Sequence, residues 1–501
     1  MLLSRLLPAS VAGALTAALI AVPAADARDV TITSFDGTPI VAHWFPAPAA
    51  AGGAAKAPTV MTGPGWGSPG ADNPALAPIK PMLDAGYNVL TWDPRGFGKS
   101  GGVVNIDSPQ FEGRDAQRLV DWIASQPEVQ LDKAGDPRLG MTGGSYGGGI
   151  QYVLAALDKR VDAIVPNIAW NSLRSSLYRN EIVKTGWSGL LYAAAATRPL
   201  DPHIKAAYDQ GTETGSLTAE NERWFLSRGP GDALVDKITV PTLIQQGTVD
   251  TLFTLDEAIR NYAILKSNEV PVSMLWFCGG HGACLTDPGD ETRVQRSAIA
   301  WLNRYVKRDT SVKTGPGFDW IDQNGERFTA AGWPVKTGTP LAGTGRGRLR
   351  LVADGGSGPA KIPSSGDVVG RVAGSITPAR AANAVNVTVR ARRAVHVVGA
   401  PAVRLTYRGR ATGADRPERV FAQLVDAKTG KVLGNQVTPI PVKLDGKRHR
   451  VTAPLESVAH TLPRGGRVTL QLVATTVAYA KPRLGGSVTF DRVIVALPTA
   501  K

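Results

Sequence analysis

The sequence predicts a three-layer α/β domain that carries a helical insertion and is followed by an all-β, jelly-roll-like sandwich. Three observations carry this expectation. From Val30 to about Asp309, short apolar runs alternate with amphipathic stretches, the pattern of strand-helix-strand units around a parallel sheet. Between about residues 171 and 236 that rhythm breaks. After Lys313 helical periodicity largely vanishes, and short strands separated by Gly, Pro and Asp turns take over. The chain has 501 residues, 43% of them hydrophobic and 20% charged, more than one core normally accommodates, so two domains are expected.

The elements follow in order. Residues 1–27 read as an export signal: Arg5 in a short basic start, an apolar run from Val11 to Val22, and Ala25-Asp26-Ala27 as a cleavage site. That run is 12 residues long, against the roughly 20 that span a bilayer. Cleavage after Ala27 would leave a mature chain beginning at Arg28, without a transmembrane segment, secreted or associated with the cell envelope. Eight strands are expected in residues 28–310: VTITSF and IVAHWF, joined by a tight turn at Asp36-Gly37, then TVMTG, YNVLTWD, RLGMTG, DAIVPNI, TLIQQG and VSMLWF. Between them GRDAQRLVDWIASQ sets Leu119, Trp122 and Ile123 at helical spacing, and TRVQRSAIAWLNRYVKR forms a last amphipathic helix. The stretch 171–236, with Trp187, Tyr192, Tyr208 and Trp224 among scattered charges, is too long for a crossover and reads as a small helical cap. Residues 311–501 supply GRLRLVA, NVTVRAR, AVRLTYRG, RVFAQLVD, RVTLQLVAT and SVTFDRVIVAL as strands, with a turn at Ala427–Lys431.

Charge divides the chain at the same place. Up to Thr310 there are 27 Lys+Arg and 31 Asp+Glu, net −4; beyond it 29 and 11, net +18, which together make the +14 of the whole. The basic residues alternate with Val, Ala and Thr, as in VNVTVRARRAVHVV, which suits a solvated strand face. An acidic envelope polymer is the partner such a face would attract nonspecifically. Nucleic acid is not expected, because no nucleic-acid motif accompanies the charge. The two cysteines, Cys278 and Cys284, flank His281 in FCGGHGAC and are expected to form a disulfide in an oxidising compartment. No fourth ligand at structural spacing suggests a metal site.

The sharpest motif is Gly143-Gly144-Ser145-Tyr146-Gly147, between the strand RLGMT and the helix-like GGIQYVLAAL. A G-x-S-x-G in that setting makes a nucleophile elbow, which exposes a serine hydroxyl at the sheet edge. A hydroxyl needs a base, and among six histidines His281 lies just past an apolar strand, inside Gly279-Gly280-His281-Gly282. His43 lies in an early strand, His203 in the cap, and His396, His449 and His460 in the β domain. For the acid, Asp250 ends TLIQQGTVD and gives the chain order Ser, Asp, His. Asp256 competes but suits a helix first turn, and Asp93 in WDPRGFGKSGG suits a buried turn organiser. Two N–H groups are candidates for an oxyanion hole: that of Tyr146 and, in Gly63-Pro64-Gly65-Trp66-Gly67, that of Trp66. No cofactor is called for.

These residues resemble those of the X-Pro dipeptidyl-peptidase and cocaine-esterase-like acyl hydrolases, which join an α/β-hydrolase domain to a C-terminal jelly-roll domain. The resemblance rests on WDPRGFGKSGG, on DWIASQPEVQ leading into RLGMTGGSYGGG, on QGTVD, on the histidine loop and on GWPV at 332–335. It implies a serine hydrolase acting on an ester or amide of a small molecule or peptide, with Ser145, Asp250 and His281 as triad, Tyr146 as an oxyanion donor, and the β domain over part of the entrance. Such enzymes supply an oxyanion hydroxyl from a tyrosine where this chain has Trp66. An exopeptidase also needs a carboxylate for the substrate α-amine, and the cap offers Glu181, Glu213, Glu220 and Glu222. From a different class, the alternative is an envelope-binding protein that works through its basic β domain.

Overall fold

A computed structural model describes residues 27–50, 55–360 and 374–501. The expected export signal lies outside these residues except for Ala27. The first half builds β1 (Arg28–Thr33), β2 (Pro39–Phe45), β3 (Thr59–Gly63), α1 (Ile79–Asp84), β4 (Asn88–Trp92), α2 (Glu112–Ala124), a short hairpin of β5 (Leu131–Lys133) and β6 (Asp136–Pro137), β7 (Leu139–Gly144), α3 (Tyr146–Leu157) and β8 (Val161–Asn167). After the cap come β9 (Thr242–Gly247), α9 (Leu255–Ser267), β10 (Val272–Phe277) and α10 (Thr292–Tyr305). Each of the eight strands expected from the sequence is present within two residues of its expected limits.

The strands join in the order β1-β2-β4-β3-β7-β8-β9-β10-β11-β12, parallel from β4 to β11 and antiparallel at both edges. The last two, β11 (Phe318–Ile321) and β12 (Arg327–Ala330), carry this sheet past residue 310, where the sequence suggested a domain break. Charge and periodicity change there, but Phe318, Trp320 and Phe328 still pack with the sheet's core. Every residue of β3, β4 and β9 is buried, as expected for parallel strands covered on both faces. Helices α2, α3 and α9 pack on one face with Ile244, Met274 and Trp276. On the other face α1 and α10 pack with Leu243 and Leu275. Neighbouring residues of β9 and β10 thus feed opposite cores, as the two-residue period of a strand requires.

Between β8 and β9 the cap contributes α4 (Leu173–Leu177), α5 (Thr185–Ala195), α6 (Pro202–Thr214), α7 (Ala219–Leu226) and α8 (Gly231–Val235). Its boundaries are written locally. Asp201 accepts a hydrogen bond from the His203 N–H at the start of α6, Pro202 follows it, and Gly215 closes the helix in the left-handed conformation at φ 79°. Thr218 caps α7 through the Asn221 N–H.

The C-terminal part is all β. One sheet orders β13 (Leu341–Leu351), β22 (Gly486–Leu497), β16 (Ala402–Ala411) and β19 (Asp445–Pro454). Its partner orders β14 (Ala384–Arg390), β21 (Arg467–Val473), β17 (Arg419–Asp426) and β18 (Val432–Pro441). Both contribute to one apolar core, through Leu349, Val403 and Val493 on one side and Val387, Leu424 and Leu470 on the other. The turn expected at 427–431 joins β17 to β18, with Gly430 at φ 71° donating to the Asp426 carbonyl over 2.8 Å. A small sheet of β20 (Val458–Leu462), β15 (Val395–Gly399) and β23 (Thr499–Ala500) completes it.

Candidate active site

Three loops leaving the C-terminal ends of parallel strands meet at one point, where α/β sheets place their ligands. The first is the turn between β7 and α3. Ser145 stands there at φ 57°, ψ −119°, a conformation that a non-glycine residue adopts only when its surroundings impose it. The imposing contact is with β3: a Cβ on Gly147 would lie 2.1 Å from the Gly63 carbonyl oxygen, and one on Gly143 2.8 Å from it. Glycine at those positions lets strand, turn and helix approach closely enough to push the serine outward.

The second loop follows β9. Asp250 is fully buried, and its Oδ1 accepts the N–H groups of Leu252 and Phe253, both at 2.9 Å. Its Oδ2 accepts from His281, from the backbone N–H at 3.1 Å and from Nδ1 at 2.7 Å. These four hydrogen bonds, with a longer one from Gln246 Nε2 at 3.4 Å, fix the position of the carboxylate. The third loop follows β10, where the expected Cys278–Cys284 disulfide closes around His281. The imidazole stands edge-to-face against Phe253 at 5.1 Å and Trp187 at 5.8 Å, and its Nε2 lies 2.8 Å from Ser145 Oγ. Ser145, His281 and Asp250 thus form one hydrogen-bonded chain, the three side chains singled out from sequence.

The competing acids lie elsewhere. Asp256 sits in the first turn of α9 and pairs with Arg179 at 3.1 Å. Asp93 organises a turn, accepting the N–H groups of Gly70 at 2.8 Å and Lys99 at 2.7 Å. It also faces His43, whose imidazole is pushed up to about 8 by hydrogen bonding to Asp93 and, on its other side, to Asp29.

The two oxyanion candidates border the same cavity as Ser145. As the first residue of α3, Tyr146 has an N–H with no acceptor within its helix. Its phenol points away into the protein, accepting from the Asp107 N–H at 3.4 Å, and burial holds it well above the usual tyrosine range. The Trp66 ring packs edge-on against Phe97 and Tyr146, and its Nε1 donates to the Leu191 carbonyl of α5 at 2.9 Å. The loop residue where related chemistry would use a hydroxyl is here a strut between the sheet and the cap.

Several contacts had no local signature in the sequence. The C-terminal part reaches both functional loops: Gln436 Nε2 donates to the Asp250 carbonyl at 2.6 Å, Asn435 Nδ2 to the Ala283 carbonyl at 2.9 Å, and Lys431 to the Leu285 carbonyl. Nearby, cap residue Lys184 is buried with its Nζ donating to the carbonyls of Thr251 and Leu252 at 3.0 and 3.2 Å. Burial pushes that ammonium down. Glu456 of the β part, pushed up by burial, accepts from Thr254 at 2.9 Å and from Arg179 at 3.1 Å. These partners come from three regions of the chain, so no motif spacing could announce them.

Residues 36–283 match the family model described as X-Pro dipeptidyl-peptidase (S15 family). A CocE/NonD family hydrolase from Staphylococcus aureus superposes with a TM-score of 0.67 over 94% of this chain and 93% of its own, at 14% identity. A solved α-amino acid ester hydrolase does so with 0.69 over 98% and 100%, at 15% identity. These likenesses show that the α/β sheet and the C-terminal β sheets together form a shared fold. Among curated relatives, a 31.7 kDa Escherichia coli protein of unassigned role is 33% identical over 89 residues, 18% of this chain and 29% of its own length. A polyketide transferase from Penicillium is 30% identical over 141 residues, 27% of this chain and 43% of its own. The chain therefore spans less than half of either.

Proposed function

Because the chain belongs, through residues 36–283, to the X-Pro dipeptidyl-peptidase and cocaine-esterase-like hydrolases, we propose that it cleaves an ester or amide through a serine acyl-enzyme. The observation that carries the proposal is the continuous hydrogen-bonded path from Asp250 through His281 to Ser145. In this reading Ser145 Oγ attacks the acyl carbon while His281 Nε2 takes its proton. Asp250 holds Nδ1–H and stabilises the imidazolium that forms. The oxyanion is met by the N–H groups of Tyr146 and Trp66. His281 then returns the proton to the departing alcohol or amine, and water attacks the acyl-enzyme through the same base to release the acid.

Labelling with a fluorophosphonate tests the nucleophile. The full chain is expected to label and Ser145→Ala is not; labelling that survives the substitution removes the assignment. Asp250→Asn is expected to label slowly, with kcat lowered on the order of 10⁴-fold, the loss typical of a misdirected histidine tautomer.

Export from the cytoplasm is part of the same proposal. It is supported by the leader-like start and by the disulfide, which needs an oxidising compartment. An N-terminus at Arg28 in protein recovered from outside the cytoplasm is the expected result.

A second reading attaches to the basic β part. Arg348, Arg408 and Arg448 are exposed and stand in one register row across β13, β22, β16 and β19. That row would attract an acidic envelope polymer nonspecifically. Co-sedimentation with such a polymer that disappears at high salt is its signature; a chain that stays in solution at low salt overturns it.

A further inference from the structure

The cavity in front of Ser145, its open mouth included, encloses about 940 Å³. Its walls come from both the sheet loops and the cap, and they are apolar: Trp170, Leu177, Leu191, Ile204, Phe225 and Phe253 are among them. Among the described residues two charged side chains line it, Arg174 from α4 and Glu222 from α7. They are bound to each other, the Arg174 Nε donating to Glu222 Oε1. The remaining cap carboxylates suggested by the sequence do not line the cavity. Glu181 turns to Arg419 of the β part at 3.2 Å, Glu213 is exposed, and Glu220 is exposed with its carboxylate 3.7 Å from His203.

Such walls reward an apolar group and penalise a charged one, because an ion that enters leaves its water and meets, among the described residues, only ions already paired with each other. A substrate ammonium would face a carboxylate already held by a guanidinium. A substrate carboxylate would face that guanidinium already held by a carboxylate. We infer that the acyl half of the substrate is uncharged and apolar, and that Arg174 sets this preference by occupying Glu222. The inference rests on the serine-hydrolase reading and narrows it: an ester of a neutral apolar acid is the substrate class, and a peptide with a free amino terminus is not.

The test compares two p-nitrophenyl esters that differ only by an ammonium, those of 3-phenylpropanoic acid and of phenylalanine. Initial rates are measured on the full chain at about pH 6, where the amine is protonated, with spontaneous hydrolysis subtracted. The neutral ester is expected to show kcat/KM at least about tenfold higher, the effect of roughly one pK-unit-sized interaction. Lengthening a straight acyl chain from acetyl to hexanoyl is expected to raise kcat/KM by up to about fourfold per methylene. In Arg174→Ala the uncovered Glu222 is expected to raise turnover of the phenylalanyl ester relative to the neutral one, and Arg174→Ala with Glu222→Gln is expected to reverse that gain. Equal or better turnover of the phenylalanyl ester by the unaltered chain overturns the inference, as does a flat response to acyl length. Fluorophosphonate titration of each sample separates the two levels: a chain that labels at Ser145 yet prefers the ammonium ester sinks the pocket assignment alone, and one that does not label sinks the parent reading.

Discussion

Beneath the serine turn the chain buries two acids, Glu112 and Asp107, that form no ion pair among the described residues. Glu112 accepts the N–H groups of Asn105 at 2.6 Å and Ser108 at 2.9 Å, and burial still pushes it up to about 7. Asp107 is raised as well, by burial and by the neighbouring Glu112. A carboxyl whose folded pKa is raised binds its proton more tightly in the folded chain. Its contribution to stability is complete below the ordinary value near 4.5 and is lost as pH rises through about 7. His43 acts in the same direction, since Asp93 and Asp29 keep it protonated up to about 8, so its contribution is lost between 6.5 and that value. Denaturant unfolding is therefore expected to show stability falling from about pH 5 to about pH 8, with His43→Gln flattening the upper part of the slope. A level profile across that range would contradict both assignments. At this scale the sequence displayed Ser145, Asp250 and His281 because each sits in a short local signal beside a strand end. It did not display Glu112 under the turn, or the pairing of Arg174 with Glu222 across 48 positions, because those arise only from packing.

Among the elements, two devices hold the histidine and acid loops. The disulfide across His281 closes a six-residue separation. Loop-closure entropy for so short a span is worth about 2 kcal/mol, so its larger effect is on the placement of the imidazole. The other device is β18 and the turn before it, which contact both loops. Gln436→Ala deletes the donor to the Asp250 carbonyl without touching the cavity wall. It is expected to lower kcat several-fold with KM nearly unchanged, because the acid loop shifts while the acyl site remains. Gln436→Glu, which keeps the shape but loses the donor, is expected to behave like the alanine variant; a change confined to KM would argue against positioning. The helices and strands around these devices were readable from periodicity and caps, as at Asp201-Pro202 and Gly215. The two strands past residue 310 were not, because a change in charge and spacing resembles a domain break whether or not the sheet ends there.

For the molecule as a whole, the α/β core and the β core are each complete, yet buried polar contacts join them. Thr254 meets Glu456, Ser457 meets Asp256 at 2.5 Å, and Gln323 donates to the Val432 carbonyl at 3.1 Å. Removing the β part would leave Arg179 and the loops after β9 without these partners, a costly exposure or orphaning of polar groups. A chain ending at residue 340 is expected to be recovered folded in small yield and to label with fluorophosphonate far more slowly than the full chain; equal labelling rates would show that the junction is dispensable. Sequence patterning revealed both folding units, but not their joint, since an interface between distant segments leaves no period in either.

The bond from Gln436 to the Asp250 carbonyl spans 186 positions of chain. During synthesis the ribosome makes the acid, then the histidine, and only much later the amide that steadies the acid's loop. The nascent protein thus carries Ser145, Asp250 and His281 through nearly a third of its elongation before that bond can form, and that delay separates the order of manufacture from the locking of the site.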